Sequence, residues 1–212
     1  MSECDIKLVL LGDKNVGKTT LFNQKMYGEP MQTRMTMGAY FTKKNFTIND
    51  DIFEVAVWDT AGEEKFHSLT KIYTRGAHCA IIMYDITLHS SWQAVNTWID
   101  ELDTDECQII IVGNKYDIVD KHPNKRQISF DEVQKFARDK GCLCMEGSAL
   151  SGKNVSEMFE GVIRKYVEAN GDLGGGGSSN NNGGSAGGDK SSKDAVKLDQ
   201  NKEQTPKKKI CC

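Results

Sequence analysis

The sequence predicts an α/β domain: a doubly wound, mostly parallel sheet with one antiparallel strand pair. Short β-rich runs alternate with helix-periodic segments along most of the chain. Two of those runs are joined only by Asn49-Asp50-Asp51, too short for a crossover, so they must pair antiparallel. The first run ends in a glycine-bearing loop that opens straight into a helical pattern. In sheets of this kind, ligands sit beyond the carboxyl ends of the strands.

The elements follow in order. Ile6–Leu11 reads as a buried strand and Thr19–Tyr27 as a helix. Tyr40–Ile48 and Ile52–Trp58 are the strands of the hairpin. Ala80–Tyr84 is a strand, and Ser90–Leu102 a helix. Ile109–Val112 is a strand, followed by a helix over Ser129–Lys140 that Gly141 ends. Cys142–Met145 is the last strand and Val155–Glu168 the last helix. Cys142 and Cys144 read as alternating strand residues, because no second cysteine pair matches them as a zinc knuckle would require.

Composition changes near Asn170. The folded domain is expected over residues 5–169, and residues 170–212 as a flexible tail, first Gly-, Ser- and Asn-rich and then Lys-rich. The chain's 212 residues suffice for one core plus that appendage. A net charge of −3 provides no basic field, so nucleic acid is not expected as a partner. No 18-residue apolar run exists to span a bilayer, and Met1–Lys7 lacks the pattern of a secretory signal. Seven cysteines, an odd number, argue against a disulfide framework and for a reducing compartment.

Two loops carry the chemistry. Gly12-Asp13-Lys14-Asn15-Val16-Gly17-Lys18-Thr19 has P-loop spacing between a strand and a helix. Its glycines let consecutive N–H groups converge on one anion, and the helix start adds partial positive charge. Lys18 reaches terminal phosphates, and the Thr19 hydroxyl is a ligand for Mg²⁺. The second loop is Asn114-Lys115-Tyr116-Asp117. A carboxylate there accepts from N1–H and the exocyclic amine of guanine, a donor pair that adenine lacks.

With these motifs in place, residues 5–169 resemble the Ras-like small GTPases, P-loop GTPase domains that bind GTP or GDP with Mg²⁺. The resemblance implies nucleotide contacts along Gly12, Asp13, Lys14, Asn15, Val16, Gly17, Lys18, Thr19 and Thr20. It makes Thr36 the first-switch threonine that senses Mg²⁺ and the γ-phosphate. Trp58-Asp59-Thr60-Ala61-Gly62 is similar to the second switch: Asp59 serves Mg²⁺, and the Gly62 amide meets the γ-phosphate. Asn114, Lys115 and Asp117 correspond to base recognition, and Ser148, Ala149 and Leu150 to the last loop.

Within that family the chain resembles the Rab branch, through Trp58, Phe66-His67-Ser68-Leu69, Tyr73-Thr74-Arg75-Gly76-Ala77 and the final Cys-Cys. Gly38-Ala39-Tyr40-Phe41 resembles its endosomal members. The implied role is a switched regulator of vesicle trafficking on the cytosolic face of an intracellular membrane, endosomal or phagosomal, with a cytosolic pool. Implied partners are an exchange factor, a GTPase-activating protein, prenylation and dissociation-inhibitor chaperones, and effectors. Phe41, Trp58 and Tyr73 would form the effector surface; from the residues alone, core packing is the competing reading. Cys211 and Cys212 would carry geranylgeranyl groups, since two lipid chains anchor stably where one does not.

The chain departs from the family beside the γ-phosphate. Glu63 stands where relatives have a water-orienting Gln, and Lys14 where they have a small residue. An ionised carboxylate accepts from water but donates nothing to phosphate. Either hydrolysis is slow, the expectation adopted here, or Lys14 supplies a cation in cis as an arginine finger does. Glu29 replaces the aromatic that covers the base, with Tyr27 or Met31 as substitutes. Leu150 replaces a lysine of the last loop. The rival functions are a GTP-loaded membrane scaffold with negligible hydrolysis, and a nucleotide kinase. The kinase would need an Arg-rich lid that the sequence lacks.

Overall fold

The structure is a computed structural model that describes residues 4–31, 38–62, 67–102, 104 and 106–171, with only the backbone of 67–70. The strands are β1 (Ile6–Leu11), β2 (Ala39–Ile48), β3 (Asp51–Thr60), β4 (Cys79–Asp85), β5 (Gln108–Asn114) and β6 (Leu143–Glu146). They form one sheet in the order β2-β3-β1-β4-β5-β6. Only β2 and β3 pair antiparallel; the other neighbours are parallel. The helices are α1 (Lys18–Tyr27), α2 (His67–Thr74), α3 (His89–Gln93), α4 (Val95–Asp100), α5 (Tyr116–Lys121), α6 (Phe130–Asp139) and α7 (Val155–Ala169). Among them none is long and apolar enough to cross a membrane.

Strand alternation divides the core into two layers. Leu8 and Leu10 of β1, with Ile81 and Met83 of β4, face α1 and α7 and pack on Leu21, Phe159 and Val162. Val9, Leu11, Ile82 and Tyr84 face the other way, toward Trp92 and Trp98 of α3 and α4 and Val133 of α6. Burial on both faces explains why the central strands are apolar almost throughout. Each such Leu, Ile or Phe contributes roughly 1.5–3 kcal/mol.

The parallel register brings the strand ends together. Leu10 of β1 lies beside Asp59 of β3, and Asp85 of β4 beside Asn114 of β5. Gly113 lies beside Glu146 of β6. Loops leaving these strands therefore emerge along one edge.

The structure corrects several sequence boundaries. Asp51 is the first residue of β3, opposite Ile48, so only Asn49 and Asp50 form the turn. Both have positive φ, 51° and 72°, as a type I′ hairpin turn demands. The Ser90–Leu102 pattern is two helices, interrupted where the Ala94 N–H is shared between the Ser90 and Trp92 carbonyls. Cys142 precedes β6 and instead closes α6, its N–H donating to the Ala137 carbonyl. Helices α2 and α5 carry no sequence signal; at eight and six residues they are too short for periodicity to separate them from loops.

The hairpin yields a test. Asp50→Gly removes a side chain from a left-handed position and is expected to raise stability by about 0.5–1 kcal/mol. Urea unfolding of the two proteins at equal nucleotide concentration measures the difference.

Candidate functional site

The loop after β1 is wound for an anion. Gly12 has φ 133°, Asn15 φ 62° and Gly17 φ 102°. A Cβ on Gly12 would strike the Met83 carbonyl, and one on Gly17 would strike the Asn114 side chain. These two positions therefore need glycine for both conformation and space. Gly17 is also the N-cap of α1, with no side-chain cap and no acid in the first turn. No side chain of the loop caps the helix start, so the partial positive charge there is aimed at an external anion, which is the condition for phosphate binding. Val16 is buried beneath the loop; Lys14 and Asn15 are exposed, and Thr20 is half-buried in the first turn.

Lys18 lies at the centre, only 6% exposed. Its ammonium donates to the Gly12 and Asp13 carbonyls at 2.7 and 2.8 Å. Burial lowers its pKa to about 8, against the opposing pull of Asp59 and Asp13. Asp59 is fully buried, and neither carboxylate oxygen has a hydrogen-bond partner. Burial raises its pKa to about 6, opposed by the neighbouring Thr19 hydroxyl and by Lys18. A buried carboxylate helped only by the nearby Thr19 hydroxyl and the Lys18 charge is costly unless something more pairs with it. Its surroundings, a hydroxyl and a P-loop, fit a hard divalent cation with oxygen ligands such as Mg²⁺. No cluster of three His, Cys, Asp or Glu side chains exists among the described residues. A cation here would thus share its coordination with phosphate. Gly62 rests against the same place: a Cβ there would collide with the Lys18 ammonium and the Asp13 carbonyl.

The base side is assembled by Asn114, which is 3% exposed. Its amide donates to the Val16 carbonyl at 2.7 Å and accepts from the Ala149 N–H at 2.9 Å. One side chain thus joins the P-loop, the end of β5 and the last loop. Lys115 has φ 68° and pairs with Asp85 at 2.6 Å. Asp117 accepts from the Ser148 hydroxyl at 2.6 Å, and that hydroxyl accepts from the Ser151 N–H. The acid is therefore oriented by the last loop, leaving its other oxygen for a donor. Ala149 is buried and Leu150 exposed. Tyr27, the last residue of α1, and Glu29 and Met31 beyond it are all exposed.

A sequence model of the Ras family matches residues 7–168. The chain belongs to the Ras family. Ras-family proteins are small GTPases that bind guanine nucleotide, and the cradle has the parts for one. The Ras-like GTP-binding protein RYL2 of Yarrowia lipolytica is 36% identical over 176 residues, 79% of this chain and 84% of that protein. The putative Ras-related protein Rab-5B of Dictyostelium discoideum is 36% identical over 166 residues, 76% of this chain and 75% of that protein. These relatives support the Rab resemblance as well as the family.

In this Ras-family chain Phe41, Trp58 and Tyr73 form a row of rings, with centroids 4.8 and 5.8 Å apart. Phe41 is 48% exposed and faces Trp58 across the β2–β3 ladder. Trp58 and Tyr73 are half-buried, and Trp58 also packs against the core layer that holds Val9 and Leu11. Thr36, Glu63, Cys211 and Cys212 lie outside the described residues. Sequence reasoning missed Asp85 as the partner of Lys115, Ser148 as the orienter of Asp117, and Trp98, whose indole donates to Asp13 at 2.9 Å. No local pattern announces such pairs; only the fold brings them together.

Asn114→Ala is expected to lower stability by about 2–4 kcal/mol, because two buried main-chain groups lose their partner. The same change should accelerate nucleotide release, since the three loops lose their common tie. Thermal unfolding and release of a fluorescent GDP analogue measure the two effects.

Proposed function

We propose that this chain is a Rab-like switch that binds GTP and GDP with Mg²⁺, hydrolyses GTP slowly and regulates vesicle traffic at an intracellular membrane. The observation that carries the nucleotide reading is the uncapped start of α1 beneath Lys18, tied by Asn114 to the loop that orients Asp117. A polyphosphate answers the uncapped helix start and the Lys18 ammonium, and guanine would answer the Asp117 oxygen that Ser148 does not engage.

The reaction is attack of water on the γ-phosphorus, breaking its bond to the β–γ bridging oxygen and giving GDP and phosphate. Lys18 and the P-loop amides hold the phosphates and neutralise developing charge. Thr19 and Asp59, with Thr36, would hold Mg²⁺, which withdraws charge from the phosphate oxygens when bound. Gly62, which packs beside the Lys18 ammonium, would offer its amide to the γ-phosphate, so that the switches would respond to its presence. Glu63 is proposed to place the attacking water poorly, because its carboxylate cannot donate to phosphate. Lys14 is exposed and has no ion pair among the described residues, which leaves it facing solvent.

The Rab-like address rests on the Rab-5B relative and on the residues that resemble the endosomal branch. In this reading Cys211 and Cys212 carry geranylgeranyl groups, and Lys207, Lys208 and Lys209 add roughly 1 kcal/mol each at an anionic leaflet. An exchange factor, a GTPase-activating protein and lipid-shielding chaperones complete the cycle.

Single-turnover GTP hydrolysis tests the slow-switch reading. Glu63→Gln should raise the rate by about tenfold, the effect of one added transition-state hydrogen bond. An unchanged rate would remove Glu63 as the cause. A loss of rate in Lys14→Gly would instead favour the cation in cis, and no turnover in any variant the scaffold reading. Separately, Cys211→Ser with Cys212→Ser should shift the protein from the membrane fraction to the soluble one, whereas either change alone leaves weaker, reversible attachment.

A further inference from the structure

Asp13 places a carboxylate inside a loop whose other features attract anions. The loop's N–H groups, the start of α1 and the Lys18 ammonium favour negative charge, and a side-chain acid there competes with a bound phosphate for them. The Asp13 main chain is part of that cradle, since its carbonyl accepts from Lys18 at 2.8 Å. Its side chain is turned elsewhere. The Asp13 carboxylate accepts from the indole N–H of Trp98 at 2.9 Å, across 85 positions of sequence. Lys18 donates to two main-chain carbonyls, and the Asp13 carboxylate acts on it through space, favouring its charged form, rather than taking the place of either carbonyl.

Trp98 is well placed for this. It sits on α4, is 3% exposed, and packs in the layer formed by Val9, Leu11 and Ile82 under the β1 side of the sheet. Its ring is held by that packing, so the N–H has little freedom to leave the carboxylate. Indole donates and never accepts, and it carries no charge. A lysine or arginine in its place would add a cation that also attracts phosphate. Trp98 satisfies the acid without entering the cradle's own electrostatics.

We propose that Trp98 is a positioning residue of the phosphate site, holding the Asp13 carboxylate away from the Lys18 ammonium and from the phosphates. This rests on the reading of residues 12–19 as a phosphate cradle. Freed from the indole, the carboxylate turns toward Lys18 and competes with the terminal phosphate. The nucleotide with more negative charge suffers more.

The test is release of fluorescent GDP and of a non-hydrolysable fluorescent GTP analogue from the full chain. Trp98→Phe keeps most of the packing and removes the donor. With Asp13 present it should speed GTP-analogue release by about tenfold, the loss expected for one hydrogen bond to a charged group, and GDP release by less. In an Asp13→Asn background, Trp98→Phe should change either rate by much less, because no charge is set free. An equal acceleration in both backgrounds would overturn the proposal and leave Trp98 as packing alone. Should Trp98→Phe not fold, the Trp98 indole N–H resonance decides, read in wild type and Asp13→Asn. It should move upfield when the carboxylate is neutralised; an unmoved resonance overturns the proposal. Failure of the wild type to bind either nucleotide overturns the cradle reading instead.

Discussion

Three loops distant in sequence meet on one buried amide. Asn114 donates to the carbonyl of Val16 and accepts from the N–H of Ala149, so the P-loop and the last loop share a single tether at the end of β5. The arrangement exists because β5 is central and parallel, which sends its carboxyl end to the edge where β1 and β6 also end. Gly17 has no room for a side chain because that amide occupies the space. The P-loop and the last loop are thus mechanically one unit: disturbing either strains a bond in the other.

Around this tether the charges are incomplete. Burial lowers the Lys18 pKa to about 8 and raises that of Asp59 to about 6, so each is pushed toward its neutral form. The two groups lie near enough to influence one another, yet neither carboxylate oxygen is satisfied. A folded core that only sought stability would fill these positions differently. The proposed ligand, a phosphate with a divalent cation, would offset this cost by favouring the charged form of each group. The same principle governs Asp13, a carboxylate that is given a neutral donor from another element.

Much of the fold was legible in the sequence. The central strands announced themselves because both faces are buried, leaving near-continuous apolar runs at β1, β4 and β5. The hairpin was legible because Asn49 and Asp50 tolerate left-handed conformations. The P-loop was legible because its requirements are local: glycine where φ is positive, and a helix beginning at once. Short elements were not. Helix α5 starts after an N-cap, Lys115, with φ 68°, a backbone choice imposed by the loop rather than by residue preference. Likewise, Cys142 carries a strand-like pattern but spends its N–H on closing α6.

The sequence by itself determined the architecture, the anion loop and the family, because these depend on residue type and spacing within short windows. Tertiary structure alone decided which partner each functional side chain takes. Lys115 pairs with Asp85, Asp117 with Ser148, and Asp13 with Trp98, at separations that no local pattern spans. The physical reason is that buried polar groups must find donors or acceptors wherever the packing puts them, and packing is settled only when the whole sheet has closed.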